Sequence, residues 1–284
     1  MNYLIIDKII KNALTEDISG EDITTNSIVP PRTIAAVNLI VKEDGIIAGL
    51  DIFRRVFEVL GDVQVSFNKV DGERVLSGET IGNIKGNARN ILMGERTALN
   101  LLQKMSGISS LTHKYIHAIA ETSAKIVDTR KTTPGLRMLE KYAVTLGGGS
   151  NHRFNLSDGV LIKDNHIDAA GGIKEAVDSI RKYASFVRKI EVEVENLEML
   201  KEALEAGADI IMLDNMSVDM LRRAVEYVDN KALLEASGNV NLNTVRDIAL
   251  TGVNFISVGS ITHSAPILDL SMKNLKILSN TFPS

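Results

Sequence analysis

The feature that most constrains this chain is a ladder in its second half. Short apolar runs recur at 126–127, 160–162, 190–194, 210–213, 233–234 and 255–258. The last four stand roughly 20 residues apart, with helical patterns over 197–206, 217–228 and 242–250 between them. Such spacing suits a parallel sheet, because each return to the same edge needs a crossover helix, and right-handed crossovers can curl the sheet into a barrel. Six strands are visible, fewer than the usual eight, so the barrel is expected to be incomplete. The interval between the first two runs leaves room for a helix and an extended loop.

The first half reads differently. A short amphipathic helix is expected over 3–14, then a polar turn at 16–22 and Pro30-Pro31. Strands are expected at 34–41, 46–48 and 63–70, a helix at 52–60, and a glycine-punctuated β segment at 75–85. A strong helix comes next over 91–105. Gly107 punctuates it, and a second helix runs to about 122. Strands and helices mix here without regular alternation, which predicts an α+β domain. The fold class is therefore α/β plus α+β: an amino-terminal open α+β sandwich and then an incomplete α/β barrel.

Composition narrows the function. The chain has 284 residues, no cysteine and a net charge of -4. Disulfides and thiolate metal sites are excluded. The acidic balance argues against a nucleic-acid partner, and the absence of Trp argues against base stacking. The first residues turn charged too early for a signal peptide, and no apolar run approaches the ~18 residues of a membrane span. No membrane association and a cytoplasmic location are expected.

Against that balance, one stretch concentrates positive charge: Arg130, Lys131, His152, Arg153 and Lys163 lie within 128–166, among glycines and Pro134. Arginine grips carboxylate and phosphate oxygens in bidentate fashion and lysine adds a point charge, so a pocket for a small polyanion is the natural expectation. The residues just past each strand support it, since barrel sites are built at the carboxyl ends. Arg130 and Lys131 come after the first run, Lys163 after the second, and Asp214 after the fourth. Ser237 and Gly238 come after the fifth, and Gly259, Ser260 and His263 after the sixth.

Glu193 and Asp214 are acids on neighbouring strands. They suit Mg²⁺ shared with substrate phosphates, or ribose hydroxyls. Residues 191, 193 and 195 share one strand face, so Glu195 competes with Glu193. Ser237-Gly238 and Gly259 offer bare backbone N–H groups for phosphate, and His263 could add a hydrogen bond. His113 and His117 stand four apart without a third ligand, which reads as helix surface. Gly147-Gly-Gly149 does not fit a dinucleotide fingerprint.

These residues resemble a known family. Asp128-Thr-Arg-Lys-Thr-Thr-Pro-Gly-Leu-Arg, Gly148-Gly-Ser-Asn-His-Arg, Leu161-Ile-Lys-Asp-Asn-His, Glu191-Val-Glu-Val-Glu and Leu213-Asp-Asn are similar to quinolinate phosphoribosyltransferase, also called nicotinate-nucleotide pyrophosphorylase (carboxylating). The likeness extends upstream to Gly94-Glu-Arg-Thr-Ala-Leu-Asn and downstream to Glu235-Ala-Ser-Gly-Asn and Val258-Gly-Ser-Ile-Thr-His. It implies a sandwich domain over 1–108, a barrel over 109–268, and a last helix over 269–284 that returns to the sandwich. It also implies a homo-oligomer, a dimer or a hexamer built of dimers, in which Arg96 enters the partner's site. The implied reaction joins quinolinate to phosphoribosyl pyrophosphate with Mg²⁺, giving nicotinate mononucleotide, pyrophosphate and CO₂. Arg96, Arg130, His152 and Arg153 would hold quinolinate, with Lys163 close to its carboxylates. Lys131 and Mg²⁺ would neutralise the leaving group. Glu193 and Asp214 would bind ribose and metal, and Ser237, Gly238, Gly259 and His263 the 5′-phosphate. A molybdenum-transport-associated paralogue, an enzyme using nicotinate, and a non-catalytic anion-binding protein on the same scaffold are the alternatives.

Overall fold

The computed structural model describes residues 2–279. In chain order the first elements are α1 (Tyr3–Asp17), α2 (Ile23–Ile28), β1 (Ile34–Val41), β2 (Gly45–Ile46), α3 (Leu50–Leu60), β3 (Val63–Phe67), β4 (Arg74–Val75), β5 (Thr80–Asn87) and α4 (Ala88–Ala118). Next come β6 (Lys125–Val127), α5 (Arg137–Leu146), β7 (Val160–Ile162), α6 (Asp164–Ala170), α7 (Ile173–Tyr183), β8 (Ile190–Val194), α8 (Leu197–Glu205) and β9 (Ile210–Asp214). The last are α9 (Val218–Val228), β10 (Leu233–Ser237), α10 (Val245–Ala249), β11 (Phe255–Ser257), α11 (Ser260–His263) and β12 (Leu270–Ser279).

The chain forms two compact units. One takes the chain up to Leu111, Thr133–Gly147 and the segment from Ala265 on; the other takes Thr112–Thr132 and Gly148–Ser264. The first unit carries an antiparallel sheet in the order β12-β1-β5-β3. Along β1 every second residue is buried, which places Ala35, Val37, Leu39 and Val41 in the core. Helix α3 buries Leu50, Ile52, Phe53, Val56 and Phe57 along one stripe. Phe53 meets Phe57 and Phe67 edge-on, with ring centroids 5.2 and 6.0 Å apart. Asp71 Oδ1 accepts the N–H groups of Gly49 and Leu50 at 2.8 and 2.9 Å and so caps that helix from outside.

Two secondary-structure expectations fail in this unit. Gly107 does not break its helix: α4 is continuous over 31 residues. The glycine is there for contact, because a Cβ at 107 would run into the carbonyl oxygen of Pro266 and lie 2.9 Å from Ile267 Cα. The helix expected over 269–284 is instead strand β12 along its described part, paired antiparallel with β1, and residues 280–284 lie outside the described residues. The alternation that marks a strand begins with buried Leu270 and Met272. A register shift against β1 and a left-handed Asn274 (φ 62°) then interrupt it, which hides the period in the sequence. Thr133–Gly147, which the sequence-based division places inside the barrel, clusters with the first unit.

The second unit is an incomplete α/β barrel. Its six strands are parallel and run in the order β6-β11-β10-β9-β8-β7. All six form at the places the apolar runs mark. β6 and β7, consecutive in the chain, stand at opposite edges of the sheet, and the barrel is open between them. The loop at Ser150 lies along the free side of β6, with Ser150 N–H donating to Ile126 O at 2.9 Å and Asp128 N–H to Ser150 O at 3.1 Å. The crossover helices start on side-chain caps: Asn196 Oδ1 accepts from Met199 N–H before α8, and Ser217 Oγ from Met220 N–H before α9. They bury Leu200 and Ala203, and Leu221, Ala224 and Val228, respectively. No helix among the described residues is long and apolar enough to cross a membrane.

The close approach at Gly107 sets a test. Helix propensity alone makes Gly→Ala worth about 1 kcal/mol of added stability, whereas overpacking costs about 1–3 kcal/mol. Contact with backbone decides, since a carbonyl cannot move aside as a flexible side chain can. Gly107→Ala is expected to lower the urea midpoint of unfolding; a raised midpoint would show that the helix can shift to make room.

Candidate active site

The carboxyl ends of the strands meet around one cavity of about 550 Å³. Arg130 and Lys131 reach it from the loop after β6, and His152 and Arg153 from the loop before β7. Lys163 comes directly after β7, Glu193 lies in β8 and Asp214 ends β9. Ser237 and Gly238 close the wall at the end of β10. Nine of the expected residues thus line a single space. Gly259 and His263 are beside Lys131 rather than in the wall: a Cβ at Gly259 would lie 3.4 Å from Lys131 Cδ and 3.2 Å from the His263 ring. The Thr262 hydroxyl ties that corner by donating to Lys131 O at 2.8 Å. Arg96 belongs to the other unit, exposed on α4. His113 and His117 are exposed on the same helix, in keeping with a surface reading. Glu195 falls past the end of β8 and is exposed, so Glu193 is the acid that faces the cavity.

The turns after β9 and β10 interlock. Gly238 is left-handed (φ 93°), and a Cβ there would strike the Asn215 side chain and lie 2.8 Å from the Asn215 backbone nitrogen. Only glycine fits. Asn215 N–H donates to Ser237 O at 2.9 Å and Asn239 Nδ2 to Asn215 Oδ1 at 3.0 Å, so the turns after β9 and β10 brace each other.

The electrostatics are arranged in two layers. In the upper layer Lys163 Nζ lies 2.7 Å from Glu193 Oε2. Both side chains keep some water contact, so the pair is weak and exchangeable. In the lower layer His152 Nε2 lies 3.0 Å from Glu191 Oε2 and 3.4 Å from Glu235 Oε2, with both glutamates buried. Burial, then repulsion from Arg130, push the Arg153 pKa down, and Glu191 offsets part of this. Adjacent guanidinium groups in this state gain from any anion that enters.

The protonation of the lower layer comes from its geometry. Burial disfavours a charged His152 ring, yet hydrogen bonds to Glu191 and Glu235 outweigh it and pull its pKa up. Against that pull, Nδ1 accepts the Arg153 N–H at 2.7 Å, which leaves no room for a second ring proton. The bond decides: the ring proton sits on Nε2, facing the carboxylates. The remaining proton load falls on Glu191, whose pKa burial raises. Sequence reasoning does not single out Glu191 or Glu235. A signal for Glu191 exists, since 191 and 193 share one face of a strand.

Carboxylates such as Glu193 and Asp214 are the donor type Mg²⁺ prefers; here Glu193 Oε2 meets Lys163 and Asp214 Oδ2 accepts from Asn215 Nδ2 at 2.7 Å. The cluster of three metal-capable groups among the described residues is a different one, His152, Glu191 and Glu235.

An incomplete α/β barrel whose strand ends gather four cations and two acids around one cavity defines a class: α/β-barrel proteins with an anion-attracting cup at the carboxyl ends of their strands. Comparison with known proteins narrows it. Residues 108–273 match the family described as quinolinate phosphoribosyl transferase, C-terminal domain, and residues 22–106 its N-terminal domain. The chain is 45% identical over 273 residues to a probable nicotinate-nucleotide pyrophosphorylase [carboxylating] of Bacillus subtilis, covering 96% of this chain and 94% of that one. A relative of similar name from Arabidopsis thaliana is 44% identical over 285 residues, covering 93% and 81%. The solved structure of NadC from Streptococcus pyogenes superposes with a TM-score of 0.94 at 45% identity, covering 98% of this chain and 99% of that one. The chain belongs to the quinolinate phosphoribosyl transferase family.

The bonding of His152 predicts a flat titration. Between about pH 5.5 and 8.5, where an ordinary histidine loses its proton, its ring ¹⁵N signals should show a protonated Nε2 and a bare Nδ1 throughout. A midpoint near 6.5 would mean that the ring does not rest on the glutamates.

Proposed function

We propose that this chain transfers the phosphoribosyl group of phosphoribosyl pyrophosphate to quinolinate, releasing pyrophosphate and CO₂ and leaving nicotinate mononucleotide, the step that makes the pyridine nucleotide in NAD biosynthesis. The observation that carries this reading is the single cavity shared by Arg130, Lys131, His152, Arg153, Lys163, Glu193 and Asp214. The names of the relatives point the same way.

The chemistry suits the residues. Quinolinate brings two carboxylates side by side, and Arg130, Arg153 and Lys163 supply matching charge; His152 orients the ring. As pyrophosphate leaves, its electron pair goes with it and the ribose carbon becomes cationic. Lys131 is the residue given to the developing negative charge on the leaving group, which in a water-poor site is worth more than in bulk solvent. Mg²⁺ bound with the pyrophosphate would add further charge neutralisation there. Glu193 and Asp214 hold ribose hydroxyls and keep the sugar in line. The Ser237-Gly238 turn, with Gly259 and His263, takes the 5′-phosphate through backbone and imidazole N–H groups. The pyridine nitrogen attacks the ribose carbon and gains positive charge. The bond from C2 to its carboxylate then breaks and CO₂ departs, the pair stays on C2 beside that nitrogen, and C2 takes a proton from water. No general base is needed.

The reading extends to the assembly. On this reading Arg96 enters the site of a second copy, in a dimer or hexamer, as the family resemblance implies, and the enzyme works in the cytoplasm.

Protein mixed with quinolinate, phosphoribosyl pyrophosphate and Mg²⁺ should release one CO₂ and one nicotinate mononucleotide per pyrophosphate. Absence of both would refute the assignment. Lys131→Ala should cut kcat about 10²–10³-fold, as loss of a transition-state donor does. Arg96→Ala should lose activity alone and regain part of it when mixed with Lys131→Ala, because one hybrid site is then intact. Mixtures no more active than their components would leave Arg96 outside the partner's site.

A further inference from the structure

The floor of the cavity is unusual for a barrel. Barrel interiors are ordinarily filled by layers of branched aliphatic side chains. Here the layer under the site is polar: His152, Glu191 and Glu235. Below it lies a second cavity of about 550 Å³, reached from the amino ends of the strands and walled by Val127, Val160, Ile210 and Phe255. Val160, Ile210 and Phe255 open their strands. His152, Arg153 and Glu235 border both spaces. Side-chain packing therefore does not support the imidazole from beneath, and its orientation rests on hydrogen bonds.

Those bonds form a chain that ends at a substrate-facing cation. Asp128, fully buried, accepts the His152 N–H at 2.8 Å. His152 Nδ1 accepts the Arg153 N–H at 2.7 Å. Nε2 meets Glu191 and Glu235. A ring that turns toward the lower space loses the glutamates and the Arg153 N–H together. The Arg153 backbone then loses a restraint on the side of its chain that feeds the cavity. Burying two acids is costly, and here each also has its second oxygen, Oε1, buried without a hydrogen bond. A stability role alone would favour aliphatic side chains in their place.

We propose that Glu191 and Glu235 are positioning residues of this site, holding the His152 ring over the second cavity and thereby fixing Arg153 for the diacid. A metal in the trio is the competing use of the same three groups. A cation on Nε2 would require the proton on Nδ1, where the Arg153 N–H already points at 2.7 Å. The bonding pattern therefore favours positioning.

The proposal rests on the quinolinate reading for its kinetic signature but has a readout that does not depend on it. In Glu191→Gln and Glu235→Gln, which keep the side-chain volume, KM for quinolinate should rise about tenfold or more, the usual loss when a charge-assisted hydrogen bond is weakened. KM for phosphoribosyl pyrophosphate should stay within about twofold, since a loosened Arg153 acts on one substrate. The alanine variants should be worse than the glutamines, because glutamine still accepts from Nε2–H. Independently of turnover, the Nε2 proton of His152 should be observable by NMR in the parent protein and lost to solvent exchange in Glu235→Ala; where that variant does not fold, Glu235→Gln should show the same loss in weaker form. Equal rises in both KM values, or an Nε2 proton indifferent to both substitutions, would overturn the proposal. A parent protein with no turnover but with a glutamate-dependent Nε2 proton would sink the reaction and leave the positioning role standing. Tight binding of one Zn²⁺ per chain, abolished by Glu235→Gln, would overturn it in favour of the metal.

Discussion

The gathering of Arg130 and Arg153 at one cavity is the constraint around which the carboxyl ends of the barrel strands are arranged. Burial, and after it the charge of Arg130, lowers the Arg153 pKa, so the guanidinium is costlier to hold there than in water. The folded chain must hold them there without letting them swing apart into water. It does so with backbone. Arg130 comes after β6, and the Arg153 segment is bound to the free side of that strand through Ser150 and through the buried Asp128. An open barrel is what makes this possible, because only an unpaired strand edge leaves β6 free to take a loop where a seventh or eighth strand would lie.

The acids are graded in depth against this charge. Glu191 and Glu193 are two residues apart on one strand and face the same way, yet they do different work. Glu191, deep and dry, is bonded to a ring that is itself bonded to Arg153. Glu193, higher and wetter, pairs with Lys163, which a substrate oxygen can displace. Charges that must stay put are thus in low dielectric, where each contact is strong and its loss is severe, and charges that must let go are near water.

Much of this is legible in the sequence. The six apolar runs mark all six parallel strands, because a strand buried on both faces reads as a continuous run whatever surrounds it. Most of the cavity residues are legible because they lie at the end of those runs or just past them, and strand ends in such folds face one pocket; His152 and Arg153, in the loop before β7, are legible through the cations clustered near them in the sequence. The hidden part depends on contacts that no local pattern carries. Gly107 reads as a helix stop until Pro266, far away in the chain, is seen to press against it. The alternation in β12 is broken by Asn274 after two buried residues, too few to outweigh a helical reading. Glu235 sits in an apolar run with no neighbour to suggest a partner, and its partner His152 is more than 80 residues earlier in the chain.

The polar layer also bears on how the unit can vary. An aliphatic floor would be stable whatever lay above it, since apolar packing does not depend on the identity of a distant group. A floor of one histidine and two glutamates depends on Asp128, on a backbone N–H at position 153 and on both acids, because removing any of these leaves a buried group without its partner. The four positions come from the end of β6, the loop before β7, β8 and β10, so the requirement ties together strands across most of the sheet. The backbone at Arg153 is in this way coupled to the barrel's interior rather than to its loops alone, through His152 to acids deep in β8 and β10.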